Sequence, residues 1–135
     1  MNRKIVMVFG SFDVLHKGHL DFFRQAKQKG DYLIVVLARD KTIKKVKSNH
    51  PLHKEKSRKL FVSQSSLVNK AILGSLKNKY EALKKYRPDV ICLGYDQRVD
   101  LKELKNKIKE FGLETKVYRL KPFHPEIYKS SKLKS

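Results

Sequence analysis

A continuous apolar run at residues 5–9 stops at Gly10, and an amphipathic run opens ten residues later at Leu20. An unbroken apolar strand is what a parallel sheet asks for, because helices cover both of its faces and nothing alternates out to water. A strand feeding a helix through a glycine turn restricts the chain to the α/β class, which binds ligands outside the carboxyl ends of its strands. Between strand and helix sit His16 and His19, bracketing Gly18. A helix N-terminus with unpaired N–H groups and partial positive charge suits a phosphate. Gly18, lacking a Cβ, allows close backbone approach to a ligand. Two imidazoles three residues apart share one side of the incoming helical turn.

The same alternation continues along the chain. Residues 20–28 carry Leu20, Phe22, Phe23 and Ala26, with Lys29-Gly30 as a helix stop, and residues 32–38 form a second buried strand. Residues 39–54 are polar and basic and are expected to be a long structureless segment. Such a segment in a compact domain is usually functional or disordered: a flexible surface loop is one reading, and a mobile lid with lysines for phosphate oxygens is the functional one. Residues 55–65 read as a helix, 70–73 as a short strand and 77–85 as a helix, with a break at Pro88 before a strong strand at 90–94. Residues 100–111 form a helix capped by Asp100, with Leu101, Leu104 and Ile108 on one face and Gly112 at its end. Residues 116–120 make a last strand. The expected fold is a Rossmann-like doubly wound parallel sheet of about five strands, in a single domain over residues 1–135.

Composition narrows the setting. A chain of 135 residues buries about two-thirds of its unfolded surface. No run approaches the roughly 20 apolar residues of a membrane span, and the stretch before the first strand is too short for a secretory leader. Cys92 is the only cysteine and lies in an apolar run, so a cytoplasmic protein without membrane association is expected. Thirty-two Lys and Arg against thirteen acids give a net charge of +19, which invites a nucleic-acid reading. The lysines are scattered over helix faces, though, and no spaced run of exposed aromatics offers a stacking platform. A positive field serves polyanionic small substrates as well.

Gly10-Ser11-Phe12-Asp13 followed by His16-Lys17-Gly18-His19 resembles the signature of the HxGH nucleotidyltransferases, the family that includes the cytidylyltransferases. Three further stretches resemble that family in the same order. Glu55-Lys56-Ser57-Arg58 is similar to its Glu-x-x-Arg sequence, with Lys59 where a leucine usually follows; the resemblance implies Arg58 as a planar fork for phosphate. Gly94-Tyr95-Asp96-Gln97 resembles the nucleobase and ribose side of the pocket, although Asp96 alone could be a turn or cap residue. Ser130-Ser131-Lys132 resembles the closing motif, where a Ser or Thr caps a final helix at the triphosphate.

The resemblance implies transfer of a nucleoside monophosphate from a nucleoside triphosphate to a phosphorylated acceptor, with release of pyrophosphate. Gly94-Tyr95-Asp96-Gln97 is similar to the archaeal FAD synthase branch, which implies ATP as donor and FMN as acceptor. The glycerol-3-phosphate cytidylyltransferases, which use CTP, more often carry a tryptophan after the acid, and this chain has none. By the same resemblance His16, His19 and Lys44 are the catalytic residues, with Lys47 a second choice for the lysine. Gly10, Ser11, Phe12, Asp13, Gly18, Arg58, Gly94, Tyr95, Asp96, Gln97, Ser130 and Ser131 join the histidines in nucleotide binding. Asp13 could equally fix its loop by backbone hydrogen bonds. Phe123, His124 and Tyr128 could wall the acceptor. Mg²⁺ or another divalent cation would bridge phosphate oxygens, with no dedicated metal ligands in the protein. A homodimer is implied as well. The alternatives are CTP with glycerol 3-phosphate, and a non-catalytic basic nucleic-acid-binding protein on the same fold.

Overall fold

The computed structural model describes residues 3–47 and 51–122, with the backbone alone at 46 and 47. β1 (Ile5–Gly10) and β2 (Tyr32–Leu37) are the long apolar runs, β-branched in their middles as a pleated, two-sided strand favours. Around them follow α1 (Lys17–Lys27), α2 (Asp40–Lys47), α3 (Glu55–Ser63), β3 (Lys70–Leu73), α4 (Glu81–Tyr86), β4 (Val90–Leu93), α5 (Leu101–Glu110) and β5 (Lys116–Arg119). All four strand pairings are parallel, in the order β3-β2-β1-β4-β5.

The pleat divides the core in two. Val6, Val8, Leu33, Val35, Val90 and Cys92 pack with Phe23 and Ala26 of α1 and Val62 of α3 on one face. Met7, Ile34, Val36, Ile91 and Leu93 pack with Leu83 of α4 and Leu104 and Ile108 of α5 on the other. Both faces of the central strands are therefore dry, which is why the sequence shows runs rather than alternation. Burial raises the Cys92 thiol to about 11, so it acts as a small apolar side chain.

Four expectations need correction. α1 begins at Lys17, not Leu20, because His16 caps it. Residues 40–47, expected to be structureless, form α2. Lysine is a good helix former, Ile43 is buried, and the first turn is anchored across the chain: Asp40 N–H donates to Glu55 Oε1 at 2.9 Å while Glu55 N–H donates to Asp40 Oδ2 at 3.2 Å. α4 begins at Glu81 rather than at residue 77. Ser75 Oγ accepts the amides of Lys77 and Asn78, and Asn78 Oδ1 accepts that of Tyr80, so this stretch spends its donors on turns. In α5, Asp100 caps as expected, its side chain accepting the Glu103 amide, and Gly112 ends the helix at φ +68°, yet Leu101 lies exposed.

Candidate active site

β1 and β4 lie side by side, but the chain leaves β1 for β2 on one side and β4 for β5 on the other. This reversal opens a crevice above the carboxyl ends of the two strands, the place where open α/β sheets bind ligands. The β1–α1 loop and residues 94–97 both sit there, one at each strand end.

The β1–α1 loop is under strain. Phe12 adopts φ +49°, a region that a bulky side chain enters at a cost of about 1–3 kcal/mol. Its ring turns inward, buried against Phe22 and Phe23 and edge-on to His19 at 5.5 Å. A Cβ on Gly10 would stand 2.8 Å from that ring, so only glycine fits beneath it. Phe12, expected among the nucleotide-binding residues, is thus a core anchor that shapes the loop and offers a ligand no side chain.

The two histidines form a reciprocal cap on α1. His16 Nδ1 accepts the Gly18 amide at 3.0 Å, and His19 Nδ1 accepts the His16 amide at 3.3 Å. The rings stack with centroids 4.0 Å apart and planes 27° apart. Because Nδ1 accepts in both, each neutral ring carries its hydrogen on Nε2. The arrangement leaves two Nε2–H donors side by side, His16 exposed and His19 half-buried. The reason for Gly18 changes accordingly: a Cβ there would lie 2.8 Å from His16 Cε1, so the space it leaves is taken by the His16 ring.

His19 is held neutral. Burial, then the neighbouring His16, outweigh the Val14 carbonyl and bring its pKa down to about 4. The unfolded chain therefore binds this proton more readily. Stability linked to His19 is complete above about pH 6.5 and declines as pH falls from there toward 4, by up to roughly 3 kcal/mol. Thermal unfolding at pH 7, 6 and 5 should show the decline, and His19→Gln should flatten it. A wild-type melting temperature that holds steady over that range would contradict the assignment.

Asp13 and Arg58 hold the loop from behind. Asp13 Oδ2 accepts the Leu52 amide at 2.6 Å and Oδ1 accepts the His53 amide at 2.7 Å. Burial works to raise its pKa, but those two amides, with the charges of His53 and Arg58, carry it below the usual carboxylate value. Of the two readings of Asp13, the backbone clamp is the one the structure displays. Arg58 is fully buried. It donates from Nε to the His53 carbonyl at 3.0 Å, from Nη1 to the Ser11 carbonyl at 2.9 Å and from Nη2 to Asp40 Oδ1 at 2.7 Å. The expected phosphate fork is corrected: with no exposed surface, this guanidinium braces the protein's own backbone. Arg58 in turn keeps the Asp40 carboxyl low against the opposing pull of burial.

Lys44 lies exposed on α2, and no hydrogen bond or ion pair ties it to the imidazoles among the described residues. The side chain of Lys47, the motif at Ser130 and Ser131, and Phe123, His124 and Tyr128 lie outside the described residues.

Across the crevice, Gln97 proves to be a staple rather than a free hand for a ligand. Its Oε1 accepts the Gly94 amide at 3.1 Å and its Nε2 donates to the Phe9 carbonyl at 3.1 Å, tying β4 to β1. Tyr95 and Asp96 are exposed between these ends. Arg119, which sequence reasoning passed over, donates from Nη1 to the carbonyls of Gly94 and Gln97 at 2.7 and 2.8 Å. Its position at the tip of an edge strand beside a glycine-tipped neighbour was the available signal.

The chain matches the Cytidylyltransferase-like family model over residues 7–135. It is 42% identical over 118 residues to a protein of Aciduliprofundum boonei named FAD synthase, covering 87% of this chain and 78% of that one. It is 38% identical over 133 residues to the FAD synthase of Picrophilus torridus, covering 96% and 92%. Among solved structures, the lipopolysaccharide core biosynthesis protein of Thermoplasma volcanium superposes with a TM-score of 0.84 at 37% identity, over 90% of this chain and 99% of that one. The pantoate-beta-alanine ligase of Francisella tularensis, at 16% identity and a TM-score of 0.63 over 98% of this chain and 68% of its own, shares the fold.

Proposed function

The chain belongs to the cytidylyltransferase-like family, and on that premise we propose that it is an FAD synthase, transferring AMP from ATP to FMN to give FAD and pyrophosphate. The observation that carries the activity is the FAD synthase pair of relatives, matched along most of this chain and of their own. The chemistry asks for no covalent nucleophile. A phosphate oxygen of FMN attacks the α-phosphorus of ATP, the bond to the bridging oxygen breaks, and its electron pair leaves with pyrophosphate. A phosphate monoester is largely ionised near neutral pH, so no side chain has to remove a proton.

What the protein supplies is alignment and neutralisation of charge. The paired Nε2–H groups of His16 and His19 donate to oxygens that gain charge as pyrophosphate departs, with the α1 dipole behind them. His19, held down to about 4, remains a neutral donor throughout the working range rather than a base. Lys44, exposed on α2, adds a positive charge, and Tyr95 and Asp96 receive the nucleoside. The +19 field speeds capture of two polyanionic substrates.

A divalent cation, Mg²⁺ or a relative, belongs to the same proposal. Asp13, the acid beside this chemistry, already spends both oxygens on amides and does not fit a metal ligand. The cation would be carried by the phosphates with most of its waters. The proposal also takes the protein to act as one domain, as a homodimer and in the cytoplasm.

One assay separates the acceptors. Purified protein is given ATP with FMN in one vessel and CTP with glycerol 3-phosphate in another, and pyrophosphate is followed in both. Product is expected in the first, with FAD confirmed by its chromatographic retention. Pyrophosphate in the second vessel alone would overturn the flavin assignment.

A further inference from the structure

We propose that Arg119 is a positioning residue that sets the shape of the nucleoside-reading turn at residues 94–97. The inference rests on the reading that this turn receives the nucleoside of ATP. The register places Arg119 opposite Leu93, so its side chain rises from the edge strand directly beside the turn that follows β4. One guanidinium nitrogen donates to two carbonyls at once, Gly94 at 2.7 Å and Gln97 at 2.8 Å. The Gly94 carbonyl accepts the Gln97 amide as well, at 3.2 Å. From the other side the Gln97 side chain grips the Gly94 amide and reaches across to the Phe9 carbonyl of β1.

The turn is thus held at both ends by charge-assisted and neutral hydrogen bonds, and its middle is left to two side chains. Tyr95 is 53% exposed, and Asp96 is exposed beside it. An exposed aromatic face next to an acceptor-only carboxylate matches a ligand with a flat ring and hydroxyl or amino donors, which is the chemistry of a nucleoside. Arg119 touches neither of these two residues among the described hydrogen bonds. It acts through the backbone that carries them, by drawing the Gly94 and Gln97 carbonyl oxygens onto one nitrogen; without it the Gln97 carbonyl loses that donor and the Gly94 carbonyl keeps only the Gln97 amide.

This role predicts a split in the kinetics. Arg119 is exposed, and the carbonyls it releases can be hydrated, so Arg119→Ala should leave the melting temperature within about 3 °C of wild type. The loosened turn should raise the KM for ATP roughly tenfold, with kcat and the KM for FMN within about twofold. Arg119→Lys, which keeps a charged donor but on a shorter, differently aimed side chain, should fall between the two. Calorimetric titration with ATP alone should show the same weakening without any turnover. An unchanged ATP affinity in Arg119→Ala would overturn the proposal. So would a loss confined to kcat, a shift in KM for FMN instead, or a fall of more than about 10 °C in melting temperature, which would make Arg119 a structural prop. If wild-type protein binds ATP but makes no FAD, the flavin reading fails while the titration still tests Arg119.

Discussion

Replacing His16 by asparagine should leave the fold nearly as stable as wild type and reduce kcat by about a hundred- to a thousandfold. The substitution is chosen because His16 performs two tasks that alanine would remove together. Its Nδ1 accepts the Gly18 amide and so caps α1. Asparagine is among the best capping residues and can accept that same bond, whereas alanine would cost about 1 kcal/mol of helix stability. What asparagine cannot reproduce is the Nε2–H on the far side of the ring, the donor assigned to the phosphates. His16→Ala should therefore lose both stability and turnover, and His16→Asn turnover alone. His19→Ala should behave like His16→Ala, since His19 holds the other half of the cap by accepting the His16 amide. Steady-state rates on ATP and FMN, read beside thermal unfolding, make the test. Near-normal kcat in His16→Asn would reduce the pair of imidazoles to a helix cap and remove them from the chemistry.

The second large effect is on stability. Arg58→Met should lower the melting temperature by 10 °C or more, corresponding to about 3 kcal/mol. Methionine fills much of the volume, so the loss comes from what is left behind. The Asp40 carboxylate, one-third exposed, loses its guanidinium partner, and the carbonyls of Ser11 and His53 lose their donors. Two carbonyls and a partly buried carboxylate stripped of one shared donor together cost several times what an exposed ion pair such as Lys79–Glu103 contributes. The measurement also decides between two pictures of Arg58. A fork on a ligand's phosphate would show as a raised KM with little thermal penalty. A brace behind the loop shows as a thermal penalty first. A melting temperature within about 3 °C of wild type would restore the fork.

The network around Arg58 also explains why part of the site was legible in the sequence and part was not. The strand at residues 5–9, the stop at Gly10, the histidine pair and the cap at Asp100 are each signalled by neighbours within four positions, and all stand near where local chemistry puts them. α1 starts three residues before the expected Leu20 because the cap is a histidine, and the bond that makes it one runs from the Gly18 amide to the ring nitrogen. Residues 40–47 read as a lid for a similar reason. Their helix is anchored by a carboxylate fifteen positions away, and composition alone shows only lysines.

Periodicity and punctuation along the chain determined the layer order, the parallel sheet and the edge of it that faces a ligand, because each follows from which residues can be dry on both faces and which can turn. They also determined that two imidazoles meet at the mouth of a helix. Tertiary structure alone decided which polar groups remain available to a substrate. Arg58 to Ser11 spans 47 positions, Gln97 to Phe9 spans 88, and Asp13 to His53 spans 40. Hydrogen bonds between such distant groups leave no period in the sequence. They turned an expected phosphate fork and one of the expected nucleotide-binding residues into the scaffold behind the site.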